Sequence, residues 1–321
     1  MRQRGAAILT ALLLMALVAT LSTAALRQQA RAYDVAAAER ARVQAAWVLQ
    51  GAADWARLIL REDGRSGGAD HLGEPWAITL QEAQLSSFLR ASAANGTGDD
   101  EGVTSSEALH NAYLSGGISD LQGRLNINNL LLERQVHEPS LRAFRRLFVA
   151  LQLPQAELEL LALNLRATQP SAEGAPPGPK PLAPQSLEQL RWLGLSTLTI
   201  ARLQPYVAML PERSTLNINT APLPVLMAAI PGLDSNQIQE LLTARARSPL
   251  SNLAEAAQAI KVPETTFSEA LHGVSSRFFE VRARLRLGSF VTQERTLLQR
   301  DGLVVKPLLR QREAPQGASV Q

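Results

Sequence analysis

The feature that most constrains this chain is an uncharged apolar run near its N-terminus. Residues 6–26 contain no charged side chain and are rich in Leu, Ala and Val. As an α-helix the run is about 31 Å long, which matches a bilayer hydrocarbon core of about 30 Å. Arg2 and Arg4 precede the run, so the positive-inside rule places the short head in the cytoplasm, although Arg27 and Arg31 on the far side weaken that rule. We expect one membrane-spanning segment with the bulk of the chain beyond it.

Three interpretations of this N-terminus are open. A secretory signal peptide fits, with small residues for cleavage at 23–25 or 30–32. An uncleaved anchor needs no motif. The third interpretation starts from the basic five-residue head that ends in Gly5, with the apolar run beginning directly afterwards. This arrangement resembles the class III signal of type IV pilins and pseudopilins, which a prepilin peptidase cuts after the glycine.

The residues after the apolar run favour the third interpretation. Residues 27–63 contain no proline, and their first glycine is Gly51, so the helix is predicted to continue well beyond the membrane. A helix of about 55 residues, half lipid-facing and half amphipathic, is typical of a pilin stem. One mostly apolar stripe on its second half is predicted to pack on a sheet; its members are Val43, Ala46, Trp47, Gln50, Asp54, Leu58 and Ile59.

Thr10 is a departure from the usual pilin pattern. In that family the fifth residue of the mature chain is usually Glu, which offsets the free amine of a neighbouring subunit inside the membrane. With Ala6 as the first mature residue, this chain has Thr10 at that position. A subunit with no neighbour above it has no amine to neutralise, so Thr10 indicates a tip subunit. The alternative is a threonine of no special role, whose hydroxyl binds the carbonyl four residues earlier.

The region beyond the stem mixes breaks, loops and short strands. Residues 70–80 are predicted to end the helix and to enter a strand. Residues 91–107 are polar and Gly/Ser-rich, which predicts a surface loop. Its Asp99-Asp100-Glu101 run lacks the alternation of an EF-hand, so we interpret it as a solvated acidic turn. Residues 116–128 alternate Ile118, Leu121, Leu125 and Ile127, which predicts a hairpin.

The middle of the chain contains an internal repeat. The sequence Leu-Asn-Ile-Asn occurs at residues 125–128 and again at 216–219, and each copy precedes apolar helical stretches. Two small helical subdomains are therefore predicted, separated by the Pro-rich linker 169–184. Polar residues after each short strand are expected to cap the next helix, namely Asn128 or Asn129 in the first copy and Thr220 in the second, with Pro222 in the following first turn.

The second copy of the repeat resembles a helix-hairpin-helix, a module that binds DNA phosphates through backbone amides. The usual hairpin reads Pro-Gly-hydrophobic-Gly, but here Asp234 follows Pro231, Gly232 and Leu233. A carboxylate facing a phosphate repels it, and no lysine cluster compensates nearby. We therefore favour a packing element of the same shape and keep a membrane-anchored DNA-uptake component as the alternative function.

The C-terminal third has the pattern of an antiparallel meander. Residues 278–288 alternate apolar side chains with Glu280, Arg282, Arg284 and Arg286, and two further strands follow, joined by an Asp301-Gly302 turn. One face of this sheet is predicted to be apolar and the other arginine-rich. The arginines form either a solvated face or a contact surface for another subunit.

Composition and motifs argue against catalytic and metal-binding roles. The chain has no cysteine, and its four histidines are not paired at ligand spacing. Net charge is only +3, which is too small to indicate a nucleic-acid partner. The sequence contains no Gly-x-Ser-x-Gly, His-Glu-x-x-His or phosphate-binding loop. We therefore predict a structural protein with no catalytic residue, metal or cofactor.

The combined features resemble the K-type minor pseudopilin family of the type II secretion system. The most specific stretches are residues 5–17, "LGEPW", "DLQGRLNINNL", "LPERSTLNINTAPLPVL" and "FFEVRARLRLG". The resemblance implies an α+β fold, in which a long N-terminal stem helix packs on an antiparallel pilin-like sheet interrupted by a large α-helical domain. It implies cleavage after Gly5 and methylation of the new N-terminus at Ala6.

The resemblance also implies a role and a set of partners. The role is to cap the pseudopilus and to help start and limit fibre assembly during export from the periplasm. The partners are the I- and J-type minor pseudopilins, the major pseudopilin, the assembly platform and the prepilin peptidase, at a single-pass position in the inner membrane. Some members bind calcium through acidic residues in the α-domain, but here the matching segment supplies only Glu173, so calcium is not expected.

These expectations divide the chain into a leader, a stem, a pilin-like domain with an inserted helical domain, and a tail. The predicted ranges are 1–5 for the leader, 6–26 for the membrane half of the stem, 27–130 for the rest of the stem and the first pilin-like part, 131–275 for the inserted helical domain, 276–312 for the C-terminal strands and 313–321 for a disordered tail.

Overall fold

A computed structural model of the chain describes residues 4–87, 111–169 and 181–313. The first element is a single helix, α1 (Arg4–Ser66), which confirms the predicted continuous stem. The helix is unbroken because no proline occurs within it and because Gly51 has helical neighbours on both sides. By length and composition, its apolar part qualifies as a membrane span, and none of that part is buried in the protein. The first half of the stem therefore makes no contact with the body of the protein.

A five-stranded sheet forms the body on which the stem packs. Its order is β1-β2-β9-β10-β11, and every neighbouring pair is antiparallel. The strands are β1 (Leu80–Gln84), β2 (Ala112–Asp120), β9 (Phe278–Leu287), β10 (Phe290–Asp301) and β11 (Val304–Glu313). The first two strands and the last three are separated in sequence by the helical region, so the two ends of the chain complete one sheet. The α+β class with an inserted helical region is confirmed.

The stem meets the sheet through small side chains, and the predicted contact stripe was on the wrong face. The buried stem residues are Ala45, Leu49, Ala53, Ala56 and Leu60. Val43, Trp47 and Leu58 of the predicted stripe are exposed, and its other members are only partly buried. The three buried alanines allow the helix axis to approach the sheet closely, whereas bulky side chains would hold it away. Selection by bulky apolar side chains therefore pointed to the side of the helix with Val43, Trp47 and Leu58, which is turned away from the sheet.

The C-terminal meander is confirmed. β9 and β10 pair from Phe278 with Gln299 to Leu287 with Phe290, and β10 pairs with β11 across a turn at Gly302. Gly302 has φ = +58°, a conformation that glycine adopts without strain. Phe279, Val281, Ala283 and Leu285 are buried on the stem side, so the predicted alternation places the apolar face correctly.

The hairpin predicted over residues 116–128 does not form. β2 ends at Asp120, and the next strand, β3 (Leu125–Asn126), pairs in parallel with β6 (Val207–Ala208) rather than folding back on β2. Leu121, Leu125 and Ile127 are buried, as the alternation suggested, but between the sheet and the helices. The alternating pattern therefore predicted the burial of these side chains correctly, but predicted the wrong strand as the partner of β3.

The helical region lies between β2 and β9 in sequence. Its helices are α2 (Glu138–Ala150), α3 (Gln155–Ala167), α4 (Thr197–Leu203), α5 (Leu223–Ala229), α6 (Ser235–Arg247) and α7 (Leu253–Ala259). The remaining short strands are β4 (Leu131–Leu132), β5 (Gln135–Val136), β7 (Leu216–Asn217) and β8 (His272–Gly273), and 3₁₀ helices cover Pro75–Ala77, Ile127–Leu130, Leu187–Leu193 and Glu264–Thr266.

One apolar core serves the whole helical region, from Leu125 to Phe267. The two predicted subdomains therefore share a core instead of forming separate units. That core already includes Leu125, Ile127 and Leu130, which lie before the predicted boundary at residue 131. The region is best described as one helical insertion with an internal repeat.

The residues predicted as caps do not cap a helix in either copy of the repeat: Asn126 caps the 3₁₀ helix of the first copy, and the helix α5 of the second copy begins after Pro222 without a side-chain cap. The Oδ1 of Asn126 accepts the Asn128 N–H at 3.0 Å, and the Oδ1 of Asn217 accepts the Asn219 N–H at 3.0 Å. Each asparagine follows a leucine in a two-residue parallel strand. Side-chain amides can satisfy neighbouring backbone groups in this way, which fixes the tight turn after the strand.

Several predicted features lie outside the described residues. These are the surface loop at 91–107 with its Asp99-Asp100-Glu101 run, Glu173 and most of the linker 169–184, and nearly all of the tail 313–321. The described end of the linker, residues 181–184, has no helix or strand.

Candidate functional site: the stem helix and its junction with the sheet

The predicted processing positions lie at the start of α1. Gly5 and Ala6 have helical backbone, and the helix already includes Arg4. Thr10 follows one turn after Ala6 and is exposed on the helix surface. The side chains from Ile8 to Arg40 are all exposed, so a subunit or a lipid can approach this part of the stem from every side.

Beyond the apolar run, the stem keeps a second exposed apolar face. Trp47 is 74% exposed, and Val43 and Leu58 are also exposed on the side turned away from the sheet. Trp55 lies at the edge of this face and lines an apolar groove of about 630 Å³ between the stem and strands β1 and β2. Large exposed apolar surfaces of this kind mark interaction sites more often than chance.

The C-terminal end of the stem is fixed to the sheet by a buried arginine. Arg300 of β10 is only 11% exposed, and its two Nη atoms pair with Asp63 of α1 and with Asp70 in the segment that follows. The same guanidinium donates to the carbonyl of Ser276 and lies over the ring of Phe279, 4.9 Å from its centroid. Charge-assisted bonds and ring stacking therefore join the stem, the following turn and the sheet at one residue.

Glu74 brings a third carboxylate to this junction. Its Oε2 accepts hydrogen bonds from the backbone N–H of His71 at 2.9 Å and from Nε1 of Trp76 at 2.6 Å. Trp76 is buried and packs edge-on against Phe279, with the centroids 5.3 Å apart. Burial, together with the nearby charge of Asp63, raises the pKa of Glu74 to about 7. Burial also raises the pKa of Asp70, against the opposing effect of Arg300.

The carboxylate oxygens of Asp63, Asp70 and Glu74 lie within 4.8 Å of one another, the only such group found among the described residues. A metal ion at this point would compete with the guanidinium of Arg300, which already pairs with two of the three carboxylates. The protein supplies the positive charge itself, and we assign no metal to the cluster.

A buried polar network joins the sheet to the helical region. Asp120, at the end of β2, accepts hydrogen bonds from Asn217 at 3.0 Å, from Ser276 at 2.7 Å and from Thr220. Asn217 is fully buried and also donates to the carbonyl of Asp70 at 3.0 Å. Burial raises the pKa of Asp120, although the hydrogen bonds oppose that rise. The network fixes the helical insertion relative to the stem junction.

The segment that resembles a helix-hairpin-helix consists of α5, a turn and α6. Gly232 lies in the turn, with φ = +84°. However, the carboxylate of Asp234 accepts the Gln237 N–H at 2.8 Å and forms a capping box at the start of α6. The backbone N–H of Asp234, at the end of the hairpin, in turn donates to Oε1 of Gln237 at 3.0 Å, and the Asp234 carboxylate would repel a phosphate at this position. This geometry favours packing over DNA binding.

Sequence reasoning did not identify the Arg300 junction or the Asp120 network. The stretch "DHLGEPW" was interpreted as a helix break before a strand and as part of the family resemblance, and no contact was predicted for its Asp70 and Glu74. Arg300 is 237 residues from Asp63, and local periodicity carries no information on such a pair.

Comparison with known proteins gives a consistent match over most of the chain. Two protein-family models, both described as type II secretion system (T2SS), protein K, match residues 123–212 and 216–275. Type II secretion system protein K of Pseudomonas aeruginosa is 31% identical over 309 residues, which cover 89% of this chain and 85% of that protein. The protein of the same name from Klebsiella pneumoniae is 29% identical, with 94% of each chain covered.

A solved structure has the same fold. It comes from the GspK-GspI-GspJ complex of the enterotoxigenic Escherichia coli type 2 secretion system, with a TM-score of 0.62 and 18% identity. The match covers 86% of this chain and 98% of that one.

Proposed function

The chain belongs to the protein K family of the type II secretion system, and we propose that it forms the tip of that system's pseudopilus. In this role it helps to start fibre assembly and limits it while folded proteins leave the periplasm. The observation that carries the proposal is the stem, α1, whose apolar half is exposed for membrane insertion while Thr10 replaces the usual pilin glutamate. A subunit with nothing above it does not need that carboxylate.

The proposal includes the way in which the protein matures. A prepilin peptidase would remove the leader after Gly5, and the new N-terminal amine at Ala6 would be methylated. The mature protein would then cross the inner membrane once, with its start at the cytoplasmic side and the sheet and helical insertion in the periplasm. The basic head at Arg2 and Arg4 supports this orientation.

The proposed partners are the I- and J-type minor pseudopilins, the major pseudopilin and the inner-membrane assembly platform. Support comes from the related complex with GspI and GspJ and from the unused apolar face of the stem. Trp47, Val43 and Leu58 face away from the sheet of their own chain, so burial against another stem would remove them from water. The protein is therefore proposed to act as a structural component.

The test is co-expression of the full chain with the I- and J-type minor pseudopilins of the same organism, followed by purification in detergent. The expected result is a stable complex in equal proportions, located at one end of the fibre by labelling in electron micrographs. Labels distributed along the fibre would contradict the tip position. Retention on DNA, with no pilin-like partner recovered, would support the DNA-uptake alternative.

A further inference from the structure

The face of the sheet opposite the stem carries a row of arginines. Arg282, Arg284 and Arg286 alternate along β9 on this face, and Arg295 of β10 lies directly opposite Arg282. Like charges at alternate positions and across a strand pair disfavour the sheet, because their guanidinium groups repel one another. The repulsion within the row therefore lowers the stability of the sheet, and a surface that only faces water does not need such a row.

Among the described residues, carboxylates contact the arginines on either side of the centre of this row, and Glu313 also contacts Arg295 at 3.4 Å. Glu280 pairs with Arg282 at 2.9 Å and with Arg295 at 3.5 Å, and Glu82 pairs with Arg286 at 2.6 Å. Arg284, in the centre, is exposed and makes no ion pair or hydrogen bond with any described residue. Within the part of the chain that the structure describes, no carboxylate compensates the positive charge of Arg284.

The neighbouring side chains hold the row in a defined conformation. The guanidinium of Arg286 lies over Tyr113, with its Cζ 4.0 Å from the ring centroid, and Nε of Arg282 lies 2.9 Å from Oε1 of the nearly buried Glu280. Side chains that are already ordered lose little conformational entropy when a partner binds. A carboxylate that approaches Arg284 would pair with its free guanidinium and would have Arg282 and Arg286 on either side of it.

We propose that this arginine row is the docking surface for a carboxylate-bearing face of a partner minor pseudopilin. This inference rests on the proposed function, since it assigns a surface to the partners named there. A second copy of this chain is a poor occupant, because its net charge is also positive. Phosphate groups fit less well than a protein, because Glu280 and Glu82 on the same face would repel them.

A membrane surface is also excluded as the occupant by distance. Ala45 is the first residue of the stem, counted from Ile8, that is buried against the sheet. The apolar run ends at Leu26, so about 28 Å of helix separates the membrane from the level at which the sheet begins. Lipid headgroups therefore do not reach the arginine row, whereas a neighbouring subunit on the same fibre does.

The experiment measures binding of the full chain to the purified I- and J-type minor pseudopilins in detergent. Arg284→Glu is expected to weaken binding at least about tenfold and to reduce its dependence on salt, because one interfacial charge is reversed. Arg284→Lys keeps the charge and is expected to stay within about threefold of the wild type. Arg202→Glu is the matched control, since Arg202 is exposed on α4, away from the sheet.

The outcomes separate this inference from the proposed function. Equal affinity for Arg284→Glu and Arg202→Glu, with the wild-type complex intact, overturns the docking surface and leaves the tip role standing. Absence of any wild-type complex overturns both. An unchanged melting temperature for Arg284→Glu shows that a loss of binding does not come from misfolding, and Arg284 is exposed enough for that result to be expected.

Discussion

Arg300 and Asp70, 230 residues apart in the sequence, form an ion pair at the point where the stem helix ends and the sheet begins. The side chain of Asp70 is 3% exposed and that of Arg300 is 11% exposed, so both charges have left water. A pair of this kind is tolerated only when each charge is compensated. Arg300 also pairs with Asp63 and donates to the carbonyl of Ser276, and the backbone N–H of Ser276 donates to Asp70. The charged groups of the junction therefore depend on one another.

Arg300→Met is expected to destabilise the folded protein by about 3 kcal/mol, because it leaves Asp63 and Asp70 without their counter-charge. The measurement is denaturant unfolding of the full chain in detergent, followed by its tryptophan fluorescence, to which the buried Trp76 contributes. Arg42→Met is the matched control, because Arg42 pairs with Glu39 on an exposed part of the stem and should cost less than about 1 kcal/mol. Equal losses in the two variants would refute a structural role for the junction.

Glu74 is expected to make stability depend on pH. Its pKa is about 7 in the folded chain, against 4.5 for an unperturbed glutamate, so the folded state binds the extra proton between these values. The contribution of Glu74 to stability is therefore fully present below pH 4.5 and is lost as the pH rises through about 7, by about 1 to 2 kcal/mol after solvent screening of this half-buried group. Asp63, Asp70, His71 and Arg300 are the charged or titratable neighbours.

Glu74→Gln provides the test of this pH dependence. The amide has no proton to release, so the difference in unfolding free energy between pH 5 and pH 8 should shrink relative to the wild type. Glu62→Gln is the control, since Glu62 is exposed and pairs with Arg65 on the surface. An unchanged pH profile in Glu74→Gln would show that another group titrates in this range.

Asn217→Ala is expected to destabilise the protein by about 3 kcal/mol. The amide of Asn217 donates to Asp120, Ser276 and the carbonyl of Asp70, each at 3.0 Å, and its loss leaves a buried carboxyl with fewer donors. Asn128→Ala in the other copy of the repeat removes one side-chain bond, to Leu210, and should cost only about 1 kcal/mol. Equal losses of stability in the two variants would contradict the proposal that the hydrogen bonds to the buried Asp120 stabilise the protein.

The predictable parts of the fold are those with local periodicity. The meander could be predicted because Phe279, Val281 and Ala283 alternate with charged residues along one strand. The stem could be predicted as a helix, but its contact face could not, because Ala53 and Ala56 contribute by being small. A hydrophobic pattern in the sequence gives most importance to large side chains. Close packing of a helix on a sheet also requires small side chains at the contact.

The junctions could not be predicted because they depend on pairs that are distant in the chain. β3 turned out to pair in parallel with β6, about 80 residues later, and Arg300 pairs with Asp63 across most of the sequence. Neither pairing follows from the residues adjacent to either partner. The candidate processing site stays a prediction: Gly5 and Thr10 were proposed from the resemblance of the N-terminus to a class III signal, and both positions lie on α1.

Gly5→Ala is expected to block removal of the leader, because the proposed peptidase cuts after a glycine. The measurement is the intact mass of the full chain purified from membranes, which should retain residues 1–5 and lack methylation at Ala6. Gly51→Ala is the control, since Gly51 lies in the same helix with open space around it and should mature normally. A normal mature mass for Gly5→Ala would refute the class III signal and favour one of the other two interpretations of the N-terminus.

Thr10→Glu is expected to change the fibre more than the fold. A glutamate one turn after Ala6 would restore the group that ordinarily meets a neighbour's amine, so the protein could accept a subunit above itself and no longer end the fibre. Longer fibres, measured by electron microscopy when the major pseudopilin is overproduced, are therefore expected together with reduced secretion. Thr20→Glu is the matched control: it carries the same membrane cost of about 3 kcal/mol near the opposite end of the apolar run, but no neighbouring amine meets it. If the two variants give fibres of equal length and equal secretion, the identity of Thr10 has no bearing on the tip position.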